Sequence, residues 1–378
     1  MNGDPVPHPT DETPGESPGD SPGESPDESP DESPGAPASE PTPGHRLSAD
    51  LTVGGRVVVR YRLAEGSAAG ATDFVGSLIA RNDDFLIVDT RTERVKLIRT
   101  EVIAARDVPP AAARSGPAHL RVSVDDLERV MATGWPATDL GGLGEWQLRS
   151  AGGFTGRANS VLAVGDPSLP LDRAIDFCEK WYDNRDAPTL FQITGEAGFA
   201  MGDQPVGSAL LGRGYVAGGG RSDWERILVM TASAKNVPPL TTDSVPVNAD
   251  AVLRPDWLMA YGEQRPVVPG VTEAVLTGSA GQLFLSVRDE ASGRIVGVSR
   301  MSISPGWAGI FAVWVHPDHQ RRGIATAMTS SIALVAKENN MAAIFLQVSG
   351  NNPGAIAFYE RLGFVVHHEY SYLGRTDG

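Results

Sequence analysis

Apolar and polar residues alternate in short runs between Leu51 and Val108. The runs are RVVVRYRL, DFVGSLIAR, FLIVDTR and RVKLIRTEVIAARDV, and glycines and an Asn-Asp pair interrupt them. Valine, isoleucine and aromatic residues at a period of two indicate β-strands, because alternate side chains of a strand point to the same face. The pattern predicts about five antiparallel strands, which is the size of a small all-β SH3-like barrel over residues 47–108.

The next part of the chain mixes helical and strand patterns. A segment rich in proline and alanine, residues 109–120, predicts a linker. VDDLERVMATGW and LDRAIDFCEKWYDNRD predict helices, and the second places Ile175, Cys178 and Tyr182 on one face. WQLRSAGGFTGRANSVLAVG predicts two strands around a glycine pair, and TLFQITG and ERILVMTA predict buried strands.

The alternation returns after a polar loop around residues 236–250. RIVGVSRMSI and WAGIFAVWVHP predict neighbouring antiparallel strands, GIATAMTSSIALVAKEN predicts a helix, and AAIFLQVSG predicts a buried strand. NPGAIAFYERLG predicts a helix that Pro353 starts and Gly363 ends. Strand, glycine turn, helix, strand and helix form one parallel crossover unit, so the predicted fold class is α/β with a mixed sheet.

Composition separates the first 46 residues from the rest. They contain almost no large apolar side chain, and the pattern Pro-x-acid-Ser occurs five times between Pro14 and Ser33. This composition predicts a disordered acidic tail. The tail has 11 acidic residues and one basic residue, so the net charge of −15 leaves only 36 acidic and 31 basic residues for the remainder. Such a nearly balanced folded part argues against nucleic acid as a partner.

The lone cysteine and the hydropathy profile bear on the cellular compartment. Cys178 excludes an intramolecular disulfide and a cysteine-based zinc site, and it fits a reducing environment. No apolar run approaches the roughly 20 residues that span a bilayer, and the N-terminus is too polar for a signal peptide. We therefore expect a cytoplasmic protein with no membrane partner.

Candidate chemistry begins in the segment HQRRGIATAM, which joins the end of a predicted strand to a predicted helix. The first N–H groups of a helix have no intrahelical partner and lie at its positive end, so they favour an anion. Gly323 lets the backbone approach a phosphate closely, and Arg321 and Arg322 add positive charge. A basic surface turn is the alternative. The segment is neither a GxxxxGK[ST] loop nor a GxGxxG fingerprint, which argues against ATP and NAD.

Three motifs in order resemble the GNAT (GCN5-related) N-acetyltransferases. The segment QRRGIA is similar to that family's pyrophosphate motif Q/R-x-x-G-x-G/A, and VWVHP before it and NNPGAIAFYERLGF after it follow the family's spacing. Upstream, WQLRSAGGFTGRANSVLAVG, AIDFCEKWY and FQITG resemble the first half of actinobacterial members that join a degenerate and an intact half. The resemblance implies a GNAT fold with a degenerate half at residues 121–245 and a catalytic half at residues 246–378.

The resemblance also implies a site for acetyl-CoA as cosubstrate, with no metal. The pantothenate arm would pair with a strand at Val313, Trp314 and Val315, largely through main-chain groups. Asn352 matches a position that contacts this arm, and a helix cap before Pro353 is its alternative role. The residues implied at the pyrophosphate are Gln320, Arg321, Arg322, Gly323, Ile324, Ala325 and Thr326.

Tyr359 matches the family's tyrosine that protonates the departing thiolate. A tyrosine with a pKa near about 10 keeps its proton at pH 7, which suits a general acid, whereas packing on an amphipathic helix is the alternative. Many members carry a glutamate base on the strand that is GIFAVWVHP here, and this segment has none. The base is therefore unassigned, with His316, His368 and Glu369 as weak candidates and a water chain as another.

These observations predict an N-acetyltransferase that transfers an acetyl group from acetyl-CoA to a primary amine by direct attack. The acceptor would be a small molecule or a peptide, in a groove partly formed by residues 240–275, where Asp256 and Tyr261 lie. The alternative is a GNAT-fold regulatory or interaction module that binds acyl-CoA without turnover. A barrel that guides acetylation of a histone-like protein finds no support in the charge balance. The oligomeric state is open, and a homodimer is one arrangement.

Overall fold

The computed structural model describes residues 51, 53–63, 70–90, 93–108 and 115–375. The tail predicted to be disordered, residues 1–46, lies outside these ranges, and so do residues 109–114 of the predicted linker.

The first described segment folds into a five-stranded antiparallel sheet with its own core. Val57, Val59, Leu78 and Val88 are fully buried, because apolar residues at a period of two share the inner face. The prediction of five antiparallel strands is confirmed. The strands are β1 Arg56–Arg62, β2 Ala71–Arg81, β3 Phe85–Thr90, β4 Arg94–Ile98 and β5 Val102–Asp107, in the order β4-β3-β2-β1-β5.

The remaining described residues build one twelve-stranded mixed sheet with helices on both faces, so the predicted α/β class is confirmed. The helices are α1 Val124–Gly134, α2 Leu171–Asp183, α3 Pro205–Gly212, α4 Pro255–Gly262, α5 Val271–Thr277, α6 Ile324–Glu338 and α7 Pro353–Arg361. The strands are β6 Asp139–Leu143, β7 Trp146–Ser150, β8 Val161–Leu162, β9 Leu190–Gly195, β10 Val216–Ala217, β11 Ile227–Ser233, β12 Asn248–Asp250, β13 Gln282–Arg288, β14 Ile295–Ser304, β15 Trp307–Val315, β16 Ala343–Ser349 and β17 Val365–Gly374.

The sheet contains the same arrangement twice. In the first unit, from α1 to β11, β8 and β9 are parallel and joined by α2, and α3 follows. In the second unit, from β12 to β17, β15 and β16 are parallel and joined by α6, and α7 follows. The order β12-β13-β14-β15-β16-β11-β17-β9-β8-β7-β6 shows that each unit donates its last strand to the other. β11 pairs with β16, β17 pairs with β9, and β11 and β17 pair with each other. The domain boundary at residue 245 stays a prediction. A strand from before it, β11, pairs with β16 from after it, and β17 from after it pairs with β9 from before it.

The first unit lacks two features of the second. The first missing feature is the glycine turn, because α2 begins after Pro170 whereas α6 begins after Gly323. The ends of α3 and α7 correspond through matching hydrogen bonds, in which Tyr215 N–H donates to Leu210 O and Phe364 N–H donates to Tyr359 O. Leu210 therefore occupies the position of Tyr359, and it is fully buried.

Two cores lie on opposite faces of the sheet, because consecutive strand residues such as Ile310 and Phe311 point to opposite sides. One core packs under α6 and α7 and contains Ile310, Leu346 and Tyr359. The other packs under α1, α4 and α5 and contains Phe311. The start of α6 lies tightly on β14, since a Cβ at Gly297 would come within 2.5 Å of the Ile324 side chain.

Candidate active site

A wedge-shaped gap opens in the sheet between β15 and β16. The two strands pair only from Trp307 and Ala343 to Ile310 and Leu346. Beyond that point β15 stays paired with β14 and β16 stays paired with β11, so each strand is held on its outer side. The inner edges carry main-chain groups that an extended ligand can bind in the manner of an added strand.

A bulge in β15 marks the beginning of this gap. Val298 pairs with Trp314 while Arg300 pairs with Phe311, so Ala312 and Val313 together face one residue of β14. Ala312 has a φ of 53°, which is uncommon for a residue with a side chain. Bulges bend a strand and redirect its backbone groups, and this one does so where the two strands diverge.

Beyond the bulge, the peptide groups of β15 point alternately towards β14 and towards the gap. His316 N–H donates to Val296 O, at 2.8 Å, on the β14 side. Successive peptide groups of a strand point to opposite edges, so the backbone of Trp314 also faces β14, whereas Val313 and Val315 face the gap. This geometry favours the predicted main-chain contacts at Val313 and Val315. Any contact of Trp314 with a ligand would need its side chain, which is buried against the α1, α4 and α5 core.

The turn before α6 exposes backbone donors at the wide end of the gap. Arg321 and Gly323 have φ values of 59° and 80°, and Gly323 caps the helix. Ala327 N–H is the first to bond back, to Gly323 O at 2.8 Å, so the N–H groups of Ile324 to Thr326 point outward. Gln320 Nε2 donates to Val315 O at 3.3 Å, which fixes the turn to the end of β15.

Asn352 caps the start of α7, and Tyr359 lies on this helix. Asn352 Oδ1 accepts from Ala355 N–H at 3.0 Å, so its role as a helix cap is shown, while its amide nitrogen donates to no described residue. Tyr359 is buried beside Phe358 and Phe364, and burial raises the pKa of its hydroxyl well above the ordinary value. The hydroxyl bonds to no described residue, and its role as a general acid stays a prediction.

The candidates for a base have other partners. His316 Nδ1 accepts from Asp318 N–H at 3.3 Å within the Pro317–His319 turn. Glu369 accepts two hydrogen bonds from Arg226, at 2.6 and 2.9 Å. His368 is fully buried and contacts a carboxylate of α1 at 2.9 Å. Each of these side chains is thereby oriented by the protein itself, and the base remains unassigned.

The two residues expected near the acceptor groove both lie on α4. Asp256 is bonded to Arg288, which lowers the pKa of its carboxyl group. Tyr261 is buried and stacks on Trp257, and burial raises its pKa. Among the described residues no group of three or more histidine, cysteine or acidic side chains could hold a metal ion.

A polar cluster on the α1 side of the gap was not found by sequence reasoning. Arg157 Nη1 donates to Gln347 Oε1 at 2.6 Å, and the Tyr370 hydroxyl donates to the same oxygen at 3.2 Å. Gln347 follows Leu346, the last residue of β16 that pairs with β15. Arg157 comes from the first unit, between β7 and β8, in a segment that sequence analysis assigned only to the degenerate half, so only the folded structure brings it here.

Comparison with known proteins identifies two segments. The profile of the family described as "Probable histone acetyltransferase Rv0428c C-terminal" matches residues 122–373. The profile described as "Rv0428c N-terminal Sm-like domain" matches residues 51–106, the five-stranded sheet. The small all-β module is therefore Sm-like, and its closure into an SH3-like barrel stays a prediction. No helix in the described part of the chain combines the length and apolar character needed to cross a bilayer.

Two sequence relatives carry acetyltransferase names, and one solved structure is reported beside them. The chain is 24% identical over 252 residues to the uncharacterized N-acetyltransferase YobR of Bacillus subtilis, covering 65% of this chain and 96% of that protein. It is 33% identical over 140 residues to the probable histone acetyltransferase Rv0428c of Mycobacterium tuberculosis, covering 35% and 42%. A GCN5-related N-acetyltransferase structure from Kribbella flavida aligns with 14% identity and a TM-score of 0.48, covering 68% of this chain and 96% of the other.

Proposed function

Because the chain belongs to the Rv0428c family of GNAT acetyltransferases, we propose that it transfers an acetyl group from acetyl-CoA to a primary amine. The observation that supports this proposal most is the gap between β15 and β16, with a glycine-capped helix at its wide end and Tyr359 on the adjoining helix. This arrangement offers an extended ligand main-chain pairing and offers its phosphates backbone donors.

On the donor side, Val313 and Val315 would hold the pantothenate arm through their backbone groups. The turn from Gln320 to Thr326 would bind the pyrophosphate, mainly by its N–H groups, because Arg321 and Arg322 are exposed and their charge is screened by solvent. A main-chain N–H of β15 facing the gap would polarise the acetyl carbonyl as negative charge develops on its oxygen.

On the leaving-group side, Tyr359 would protonate the thiolate. The amine nitrogen forms a bond to the acetyl carbon, the carbon–sulfur bond breaks with its electron pair on sulfur, and the tyrosine proton moves to that sulfur. The nitrogen loses one proton to solvent, directly or through a base that is unassigned. Burial raises the pKa of Tyr359, which keeps its hydroxyl protonated at neutral pH until negative charge develops on the sulfur, and the tyrosinate then regains a proton from solvent.

We expect Tyr359→Phe to lower kcat about 100-fold or more while the Kd for acetyl-CoA changes less than about three-fold, since the ring keeps its packing and only the proton donor is lost. Thiol release from acetyl-CoA and calorimetric binding measure the two quantities. Phe358→Leu, on the same helix, serves as the packing control and should retain turnover. Equal turnover of Tyr359→Phe and the wild-type protein would contradict the assigned role.

The competing function is a module that binds acyl-CoA without turnover. The absence of an acidic residue on β15 favours it, and the presence of Tyr359 at the position of the family's general acid favours catalysis. Tight binding of acetyl-CoA without thiol release on a broad panel of amines would support the binding module.

A further inference from the structure

Arg157 carries a guanidinium edge that no group of the described protein occupies. Its Nη1 donates to Gln347 Oε1, but Nε is shielded from solvent and has no hydrogen-bond partner. Nη2 also reaches no acceptor among the described residues. Nε and Nη2 form one planar fork, the edge with which arginine binds a carboxylate through two parallel hydrogen bonds.

Other buried arginines of this chain show that such an edge is exceptional here. Arg300 is fully buried and donates from Nε to Leu276 O, from Nη1 to Gly134 O and from Nη2 to Ser279 Oγ. Arg149 donates from Nε and Nη2 to Ser160 and to one further side chain. Where the fold buries an arginine for structural reasons, it therefore satisfies the fork. Leaving the fork of Arg157 unsatisfied costs free energy that a ligand would recover.

A second potential donor lies near Arg157, whose charge acts on it. Tyr372 is buried next to Tyr370, and its hydroxyl meets no described acceptor with good hydrogen-bond geometry. A Cβ at Gly156 would lie 3.3 Å from that hydroxyl oxygen, which places the hydroxyl next to the backbone that leads into Arg157. The guanidinium fork can only donate and the tyrosine hydroxyl can donate as well, so the two together fit a ligand that accepts, and an ionised carboxylate is such a ligand.

Two aromatic rings also hold the Arg157 guanidinium in place and enclose it. The Arg157 guanidinium lies 5.3 Å from the Trp135 ring centre and 5.7 Å from that of Phe311. Phe311 and Gln347 are the first residues of β15 and β16 beyond their pairing. The fork thus lies about one side chain from the point where the strands separate, on the face opposite α7. Arg157 forms no ion pair with a described acidic residue, so its charge is uncompensated there.

From this geometry we propose that Arg157 and Tyr372 bind a carboxylate of the acceptor, which makes the substrate class amines that carry a carboxylate a few bonds from the reacting nitrogen. The proposal rests on the proposed acetyl transfer. The degenerate unit would then supply the acceptor specificity of the catalytic unit. A desolvated fork bonded to a carboxylate discriminates strongly against the corresponding amide, because the amide brings an N–H group and no charge.

The test compares matched acceptors that differ only in charge. Glycine, β-alanine and γ-aminobutyrate are each paired with the corresponding amide, and a lysine peptide with blocked ends is added. Thiol release should show a kcat/KM about ten- to hundred-fold higher for the acids. Amino amides are the less basic amines and have more free base at neutral pH, so this preference would run against intrinsic reactivity. Equal use of acids and amides, or preference for the peptide, would overturn the proposal.

Variants connect the preference to the named residues. Arg157→Gln should remove most of the preference for acids while the Kd for acetyl-CoA stays unchanged, and Arg173→Gln, an exposed arginine on α2, should keep the preference. Tyr372→Phe keeps the ring and removes only a hydroxyl without a well-formed hydrogen bond in the fold, so it should fold well and lower kcat/KM for acids several-fold without affecting amides. A uniform loss on acids and amides in both active-site variants would contradict carboxylate binding.

Direct binding separates this proposal from the acetyl transfer itself. If no amine is acetylated, calorimetry with β-alanine and with β-alaninamide in the presence of CoA still reads out the site. Binding of the acid to the wild-type protein and its loss in Arg157→Gln would support the carboxylate site although the proposed transfer had failed. Absence of any difference between acid and amide would overturn it.

Discussion

Two residues of the turn before α6 share an unusual backbone conformation. Arg321 and Gly323 both have positive φ. Glycine adopts this conformation at no steric cost, whereas a residue with a Cβ adopts it at a cost of about 1–3 kcal/mol. A Cβ at Gly323 would meet nothing of the protein within 4 Å. Space is therefore not what selects glycine there; the conformation does, together with the room that a phosphate would use.

We expect Gly323→Val to weaken acetyl-CoA binding about ten-fold or more, because the strained turn shifts its N–H groups. Arg321→Asn removes a charge but suits positive φ, and it should weaken binding only a few-fold. Titration calorimetry at fixed salt measures both Kd values. A larger loss for Arg321→Asn than for Gly323→Val would show that side-chain charge, and not the backbone, holds the pyrophosphate.

At the scale of elements, α7 combines structural and chemical roles within one turn. Its first residue is Pro353, and Asn352 accepts a hydrogen bond from Ala355 N–H. The cap uses the side-chain oxygen, and the amide nitrogen faces no described acceptor. The two roles considered for Asn352 therefore belong to different atoms and do not exclude one another.

Asn352→Ala should lower the free energy of unfolding by about 1 kcal/mol, because an N-cap acceptor is lost. Asn352→Asp keeps the acceptor and removes the amide donor, so it should retain stability and weaken acetyl-CoA binding. Urea denaturation and calorimetry measure these effects. If Asn352→Asp bound acetyl-CoA as the wild-type protein does, Asn352 would be a cap alone.

The elements that the sequence predicted are those with local signals. Period-two runs, the 3.6-residue pattern of α6 and the Pro353–Gly363 limits of α7 are all local, and the structure confirms them. Strand pairing is not local: nothing in ILVMTAS shows that β11 leaves its own unit to pair with β16. The same reason explains the site. Motif residues such as Gly323 are found from spacing, whereas Arg157 and Gln347 are 190 positions apart and meet only in the folded chain.

At the scale of the whole molecule, buried polar groups connect the two units. Glu128 on α1 contacts His368 Nε2 of β17 at 2.9 Å and accepts from Gln192 of β9 at 2.7 Å. Gln192 in turn accepts from Arg149 of β7 at 2.8 Å. All four side chains are buried, so every member depends on its partners for the hydrogen bonds that water would otherwise supply.

Glu128→Ala should lower the free energy of unfolding by about 3–5 kcal/mol, because it leaves buried donors without their partner. Glu263→Ala is the matched control: it breaks the 2.6 Å contact with Arg294 at the surface and should cost less than about 1 kcal/mol. Urea denaturation at one pH compares the two variants. Similar losses in both would mean that the buried network does not hold the units together.

The exchange of β11 and β17 also governs how the chain can be made. During synthesis β9 and β11 leave the ribosome first, and β17, which lies between them, begins at residue 365, more than 130 residues after β11 ends at residue 233. At common translation rates this interval lasts roughly 10 s. For that time the edges of β9 and β11 that β17 will cover are bare, and bare strand edges are templates for pairing with other chains. The amino-terminal unit can therefore finish folding only when the carboxy-terminal strand has emerged, and a nascent chain stalled before that strand is a natural client for chaperones.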